Sequence, residues 1–232
     1  MRAKAKTRTS SRLPPLQRRA DITAAARSVI AEKGHENISL AEIAQRAGVV
    51  EGTLYRFFEN KQEMLVSVVA DWYKEIIENV ASVEDVQGTW NKLRAMVWRA
   101  LKIIKDNPEV TRFILTKIRP ESVYTNTIFY KLNRRYSADI SRLCAQAIES
   151  GEFREDVSPI LLRDMIFGCI EHSTWAYLRG SGDFPIDETA DGIANVIYRG
   201  MLKEQPAAQE TMDGVVERLE KVASDLEKLA KK

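Results

Sequence analysis

The chain has 232 residues, 44% of them hydrophobic and 29% charged, with a formal net charge of +2 at pH 7. This balance fits a folded core of one large or two modest domains, and it contains no apolar run long enough to span a bilayer. The charge is uneven: residues 1–66 hold twelve Lys or Arg against seven acids, net +5, and the remainder is net −3. One basic end on a slightly acidic body is the electrostatic footprint of a protein that meets nucleic acid at that end, and +2 overall is too small for a sequence-independent DNA packager.

Residues 1–15 read as a basic disordered arm, with Pro14 and Pro15 before the first helix and no apolar signal core after it, so a cytoplasmic location is expected. A helix over 16–33 follows, with Ile22, Ala25, Ala26, Val29 and Ile30 as its buried stripe and Gly34 as its stop. Residues 38–64 then read as two short helices joined by a glycine turn, with a third capped helix behind, the layout of a helix-turn-helix. Ser39 with Glu42, and Asn60 with Glu63, each have the spacing of a capping box. Gly48 suits the positive φ of a helix C-terminus. In the second helix, over 51–58, Leu54 and Phe58 lie four apart and define the buried face. The opposite face, with Glu51, Gly52, Tyr55, Arg56 and Glu59, and Thr53 at the N-terminal end, is left for a partner. Glycine costs roughly 1 kcal/mol inside a helix relative to alanine, so Gly52 marks a place where a groove wall approaches closely. Each of these residues alone is ordinary; the ordered set is not.

Through Ala31-Glu32-Lys33-Gly34, Ser39-Leu40-Ala41-Glu42-Ile43-Ala44, Ala47-Gly48-Val49, Gly52-Thr53-Leu54-Tyr55-Arg56-Phe57-Phe58 and Asn60-Lys61, the segment 16–66 closely resembles the DNA-binding domain of the tetracycline-repressor (TetR) family of bacterial transcription factors. The resemblance implies an all-α protein, with an N-terminal three-helix DNA-binding domain and an α-helical C-terminal domain for ligand binding and dimerisation. It implies phosphate contacts from Thr53, Tyr55 and Lys61, and positions at or near base edges for Glu51, Gly52, Arg56 and Phe57. Ser39, at the first helix start, joins this DNA-binding set. Val50 and Glu51 depart from the common pattern, so the operator sequence is not readable here.

After Asn60 the apolar pattern Met64, Leu65, Val68, Val69, Trp72, Tyr73, Ile76, Ile77 continues unbroken, so one long helix leaves the reader and enters the body. The body, 67–204, reads as helices over 86–105, 107–117, 121–150, 158–180 and 187–202, and the resemblance implies that the last two pair with those of a second subunit. In the extension 205–232, Val215, Leu219, Val222, Leu226 and Leu229 form a short heptad-like seam, suited either to docking on the body or to pairing with another chain.

Cys144 and Cys169 have no metal-like spacing, and no Gly-rich phosphate loop or nucleophile elbow occurs, so neither a metal, a cofactor nor an enzymatic activity is expected. The body's aromatics, mixed with Arg112, Lys117, Arg134 and Arg135 on adjacent helices, suit an apolar effector with an anionic end, an acyl thioester or an aromatic acid. The candidate effector residues are Trp98, Arg112, Phe113, Lys117, Tyr130, Arg134, Phe167 and Trp175. Glu171, His172 and Trp175 lie on the helix expected at the dimer contact and are read as structural. The function expected is a ligand-responsive repressor of a palindromic operator, bound as a homodimer and with no membrane contact; an activator of the same fold and an all-helical enzyme are the alternatives.

Overall fold

The computed structural model describes residues 14–122, 124–203, 216–223 and 228. Residues 1–13 of the basic arm, and Val215, Leu226 and Leu229 of the heptad-like seam, lie outside these residues, while Pro15, expected to end the arm, is the first residue of α1. The described part is helical: α1 (Pro15–Lys33), α2 (Leu40–Arg46), a 3₁₀ helix (Glu51–Arg56), α3 (Lys61–Glu78), α4 (Thr89–Asp106), α5 (Pro108–Phe113) running into a π-helical turn (Ile114–Ile118), a 3₁₀ turn (Tyr124–Asn126), α6 (Ile128–Glu149), α7 (Pro159–Leu178) and α8 (Ile186–Met201). The element at 216–223 is also helical, and Leu219 and Val222 of the seam are 63% and 55% exposed there, so these two do not dock on the body.

Proline at the first helical position starts α1, α5 and α7, where its missing N–H costs nothing. Gly34, Gly151 and Gly180 sit at positive φ just past the ends of α1, α6 and α7. Two helices begin later than expected. Gly88 caps α4 at φ 83, so residues 86–88 stay outside it. Thr127 caps α6, accepting from the Tyr130 amide at 3.2 Å while donating to the Tyr124 carbonyl at 2.7 Å; this closes a turn where a helix from residue 121 was expected.

The buried residues form two cores. One holds α1, α2, the 3₁₀ helix and α3, and also takes in Val110, Phe113 and Ile118 from the α5 segment and Phe129 from α6. The other lies between α4, α6, α7 and α8. The α4–α8 contact is fixed by Arg94 with Asp187 and Asp191, and by Trp90 Nε1 donating to Asn195 Oδ1 at 2.9 Å. Among the described residues no helix is long and apolar enough to cross a membrane.

Candidate nucleic-acid interface and ligand cavity

The reader is held together from α1. Arg46 bonds Glu32 at 2.5 and 2.7 Å and Glu42 at 2.7 Å, and Lys33 bonds Glu42 at 2.7 Å. These cations hold the Glu32 carboxyl down at about 2 and that of Glu42 below its ordinary value. This explains why the capping box expected at Ser39 does not form: Glu42 is committed to two cations, and Ser39 makes no side-chain cap bond. A carboxylate held by both an ammonium and a guanidinium group is not free to reach back to the Ser39 amide. At Asn60 the cap forms: Oδ1 accepts from the Glu63 amide at 2.8 Å, while the Glu63 carboxylate takes the amide of Glu59, one residue earlier than a capping box requires. Arg27 clamps Glu75 with Nη1 and Nη2, at 2.6 and 2.8 Å, tying α1 to α3.

Gly48 turns the chain at φ 65, as expected. The element after it is 3₁₀ rather than α-helical. Gly52 within it weakens the preference for α-helix, and Leu54 inside it and Phe58 just past its end are buried as the inner face. In a 3₁₀ helix side chains three apart eclipse, so Gly52 and Tyr55 share one ridge and Thr53 and Arg56 the next. Glu51, Gly52, Tyr55 and Arg56 are exposed, Tyr55 at 54%, whereas Thr53 and Phe57 are half-buried. A Cβ on Gly52 would meet nothing within 4 Å, so the missing side chain serves no internal packing. The Thr53 amide is taken by the Val50 carbonyl at 2.8 Å. Lys61 Nζ donates to the Ile38 carbonyl at 2.7 Å, fixing the ammonium at the edge of the same surface.

In the body a cavity of about 140 Å³ opens between α3, α4, α5 and its π turn, α6 and α7. Tyr73, Phe129, Tyr136 and Phe167 give it aromatic walls, and Ile77, Ile103, Ile114 and Leu115 aliphatic ones. Burial pushes the Tyr73 phenol well above its ordinary value and raises that of Tyr136, as expected where water is scarce. Arg119 and Glu171 line it, bond each other, and keep 44% and 34% of their side-chain surface exposed, so this pair stands where the cavity meets solvent.

Of the eight effector candidates only Phe167 lines this cavity. Arg112 is occupied elsewhere, its Nε donating to the Leu178 carbonyl at 2.6 Å and its Nη1 pairing with Glu109 at 2.9 Å. Phe113 is buried in the reader's core, edge-on to His35 at 5.1 Å. Trp98 Nε1 donates to Asp187 at 3.1 Å, Tyr130 packs on Tyr124 under Arg134, Trp175 lies under Arg179, and Lys117 is exposed. The cation at the cavity is Arg119, and Glu171, read from sequence as part of a dimer-contact cluster, faces it. In the sequence Arg119 is one cation among several near it, between Ile118 and Pro120, and nothing there sets it apart from Arg112 or Lys117.

An exposed turn-helix braced on α1 and α3, above a helical body that encloses an apolar cavity, defines a helix-turn-helix DNA-binding regulator. The sequence profile of the bacterial regulatory proteins of the tetR family matches residues 22–68, and that of the tetracyclin repressor-like C-terminal domain matches residues 87–201. The chain belongs to the TetR family of transcriptional regulators. It is similar to the fatty acid metabolism regulator protein of Bacillus subtilis, 22% identical over 76% of this chain and 92% of that one. It is also similar to the transcriptional repressor KstR2 of Mycobacterium tuberculosis, 25% identical over 81% and 94%. Among solved structures, the fold matches FadR from Bacillus subtilis in complex with stearoyl-CoA, with TM-score 0.63 at 22% identity over 78% of this chain and 98% of that one. It also matches AibR in complex with isovaleryl coenzyme A and operator DNA, with TM-score 0.59 at 20% identity over 78% and 98%.

Proposed function

We propose that the protein is a cytoplasmic, non-enzymatic repressor that binds a palindromic operator as a homodimer and releases it when a small amphipathic effector, an acyl thioester or aromatic acid, enters the cavity. The DNA-binding set is Ser39, Glu51, Gly52, Thr53, Tyr55, Arg56, Phe57 and Lys61, with Tyr55, Thr53 and Lys61 on phosphates and Gly52 and Arg56 at the groove. We infer a division into a reader at 16–66, a body at 67–204 and an extension at 205–232, preceded by the arm 1–15.

One observation carries the ligand-responsive part. The α5 segment belongs to both halves: Thr111, Ile114 and Leu115 line the cavity, while Val110, Phe113 and Ile118 are built into the core of the reader. A guest that displaces Ile114 and Leu115 therefore moves residues on which the reader rests, and packed cores respond by switching arrangement rather than by yielding gradually. The homodimer is supported by α7 and α8, which both leave apolar side chains exposed beside small residues. Leu161 and Met165 are 51% and 47% exposed with Gly168 exposed next to them, and Val196 is 73% exposed between Gly192 and Gly200. Exposed apolar side chains with small residues suit a self-complementary two-fold contact.

The test is fluorescence anisotropy of labelled operator DNA with the full chain, titrated with short acyl-CoA thioesters and aromatic acids. A true effector weakens operator binding by about 5- to 150-fold, and operator weakens effector binding by the same factor. A compound that binds the cavity and leaves operator affinity unchanged refutes the release mechanism.

A further inference from the structure

We propose that the cavity selects a compact acid, about six carbons or a single aromatic ring with an anionic head, and that this head displaces Glu171 from Arg119 at the mouth. The inference rests on the reading of the cavity as the effector site and adds which chemistry it accepts. Size comes first. A dry apolar cavity of about 150 Å³ holds one benzene molecule, and this one measures about 140 Å³. A long acyl chain would not fit within it unless the surrounding helices moved apart.

Charge comes second. Arg119 is the cation on the cavity lining, and the group it holds is the carboxylate of Glu171, which occupies the place that a guest's carboxylate would take. The pair is partly exposed, so exchanging one carboxylate for another costs little desolvation. An internal carboxylate at the mouth also repels an anion that fails to reach Arg119, which makes the pair a filter as well as a latch. The Tyr124 phenol flanks both groups and lines the wall beside them. Arg119 also closes the π turn, its amide donating to the Ile114 carbonyl at 2.9 Å, so a guest held by this side chain pulls on the segment shared with the reader.

Isothermal titration of the full chain with hexanoate, benzoate and hexan-1-ol separates the possibilities. The acids are expected to bind more tightly than the alcohol. Arg119→Gln should weaken the acids by roughly tenfold or more and leave the alcohol unchanged, because a charge-assisted bond is lost. Arg119→Lys should recover part of the loss, and Glu171→Gln should tighten acid binding by removing the competitor. Thermal melts of each variant establish that it is folded. If acid and alcohol bind alike and Arg119→Gln changes neither, the head-group inference is overturned while the cavity remains an effector site. If palmitate binds as tightly as hexanoate, the size limit is overturned. If none of the probes binds, this inference is overturned, and the anisotropy titration with acyl-CoA thioesters decides the effector reading separately.

Discussion

Replacing Gly34 with alanine tests the contact between reader and body at its tightest point. Gly34 ends α1 at φ 72 and ψ 163, a combination that is essentially open to glycine alone. An added Cβ would also stand 2.8 Å from Oε2 of Glu109, the second residue of α5. The backbone conformation costs about 1–3 kcal/mol for a residue with a side chain. The carboxylate can turn away, but only by giving up its 2.9 Å pair with Arg112, a partly exposed contact worth about 0–1 kcal/mol. The expected total is about 2 kcal/mol, which for a chain of this size lowers the melting temperature by roughly 4–8 °C. Thermal unfolding followed by far-UV circular dichroism reads this directly. Gly180→Ala is the control: it has the same sign of φ, 69, but a Cβ there meets nothing within 4 Å, so its drop should be smaller. A Glu109→Ala background should relieve part of the Gly34→Ala penalty, as neighbouring sites do not add. An unchanged melting temperature in Gly34→Ala would refute both the strained turn and the close approach of α5.

Gly52→Leu should leave thermal stability within about 0.5 kcal/mol of wild type, since the position is exposed and unpacked, while abolishing specific DNA binding; normal operator binding would overturn the placement of the interface. Tyr55→Phe should weaken binding to operator and random duplex alike by several-fold, with no change in melting temperature, because it removes a phosphate contact that carries no sequence information. Lys61→Ala should do both, costing about 1 kcal/mol of stability through the bond to the Ile38 carbonyl, and the pair of variants is separated by melts run beside anisotropy titrations. His35 is buried, and burial, with Lys117 and Arg112 nearby, holds its imidazole below the ordinary 6.5 against the opposing pull of Glu36. The folded state therefore resists a proton that the unfolded chain accepts, so stability present above about pH 6.5 is lost as the pH falls below it. His35→Phe should flatten that slope in melts across the acid range, and an identical slope in the variant would refute the assignment.

The fold was legible wherever a single residue decided an element. Pro108 and Ser158-Pro159 mark helix starts, Gly34, Gly151 and Gly180 mark helix ends, and the buried stripe of α1 contains the five residues that its periodicity picked out. Legibility failed where two local signals competed. Glu42 has the spacing of a cap but is captured by Lys33 and Arg46, and both cations reach it only once α1 and α2 are packed. The helix expected from residue 121 is held off by the hydroxyl of Thr127, which closes a turn there. The cavity was the least legible part. Composition showed aromatics and cations on neighbouring helices, but which of them face one space depends on the rotation of each helix. Arg112 turns toward the end of α7, whereas Arg119, beyond the π turn, reaches the cavity mouth. A π turn shifts the direction of every following side chain, and nothing in residues 114–118 announces it.

The most direct test of the central claim is selection of binding sites from a pool of randomised duplexes by the full-length protein, followed by sequencing. The account predicts an inverted repeat whose half-sites are centred about 10–10.5 base pairs apart or at a multiple of that spacing, enriched by wild type and lost in Gly52→Leu. Enrichment of no sequence above the background of non-specific binding, or of an unpaired single half-site, would contradict it.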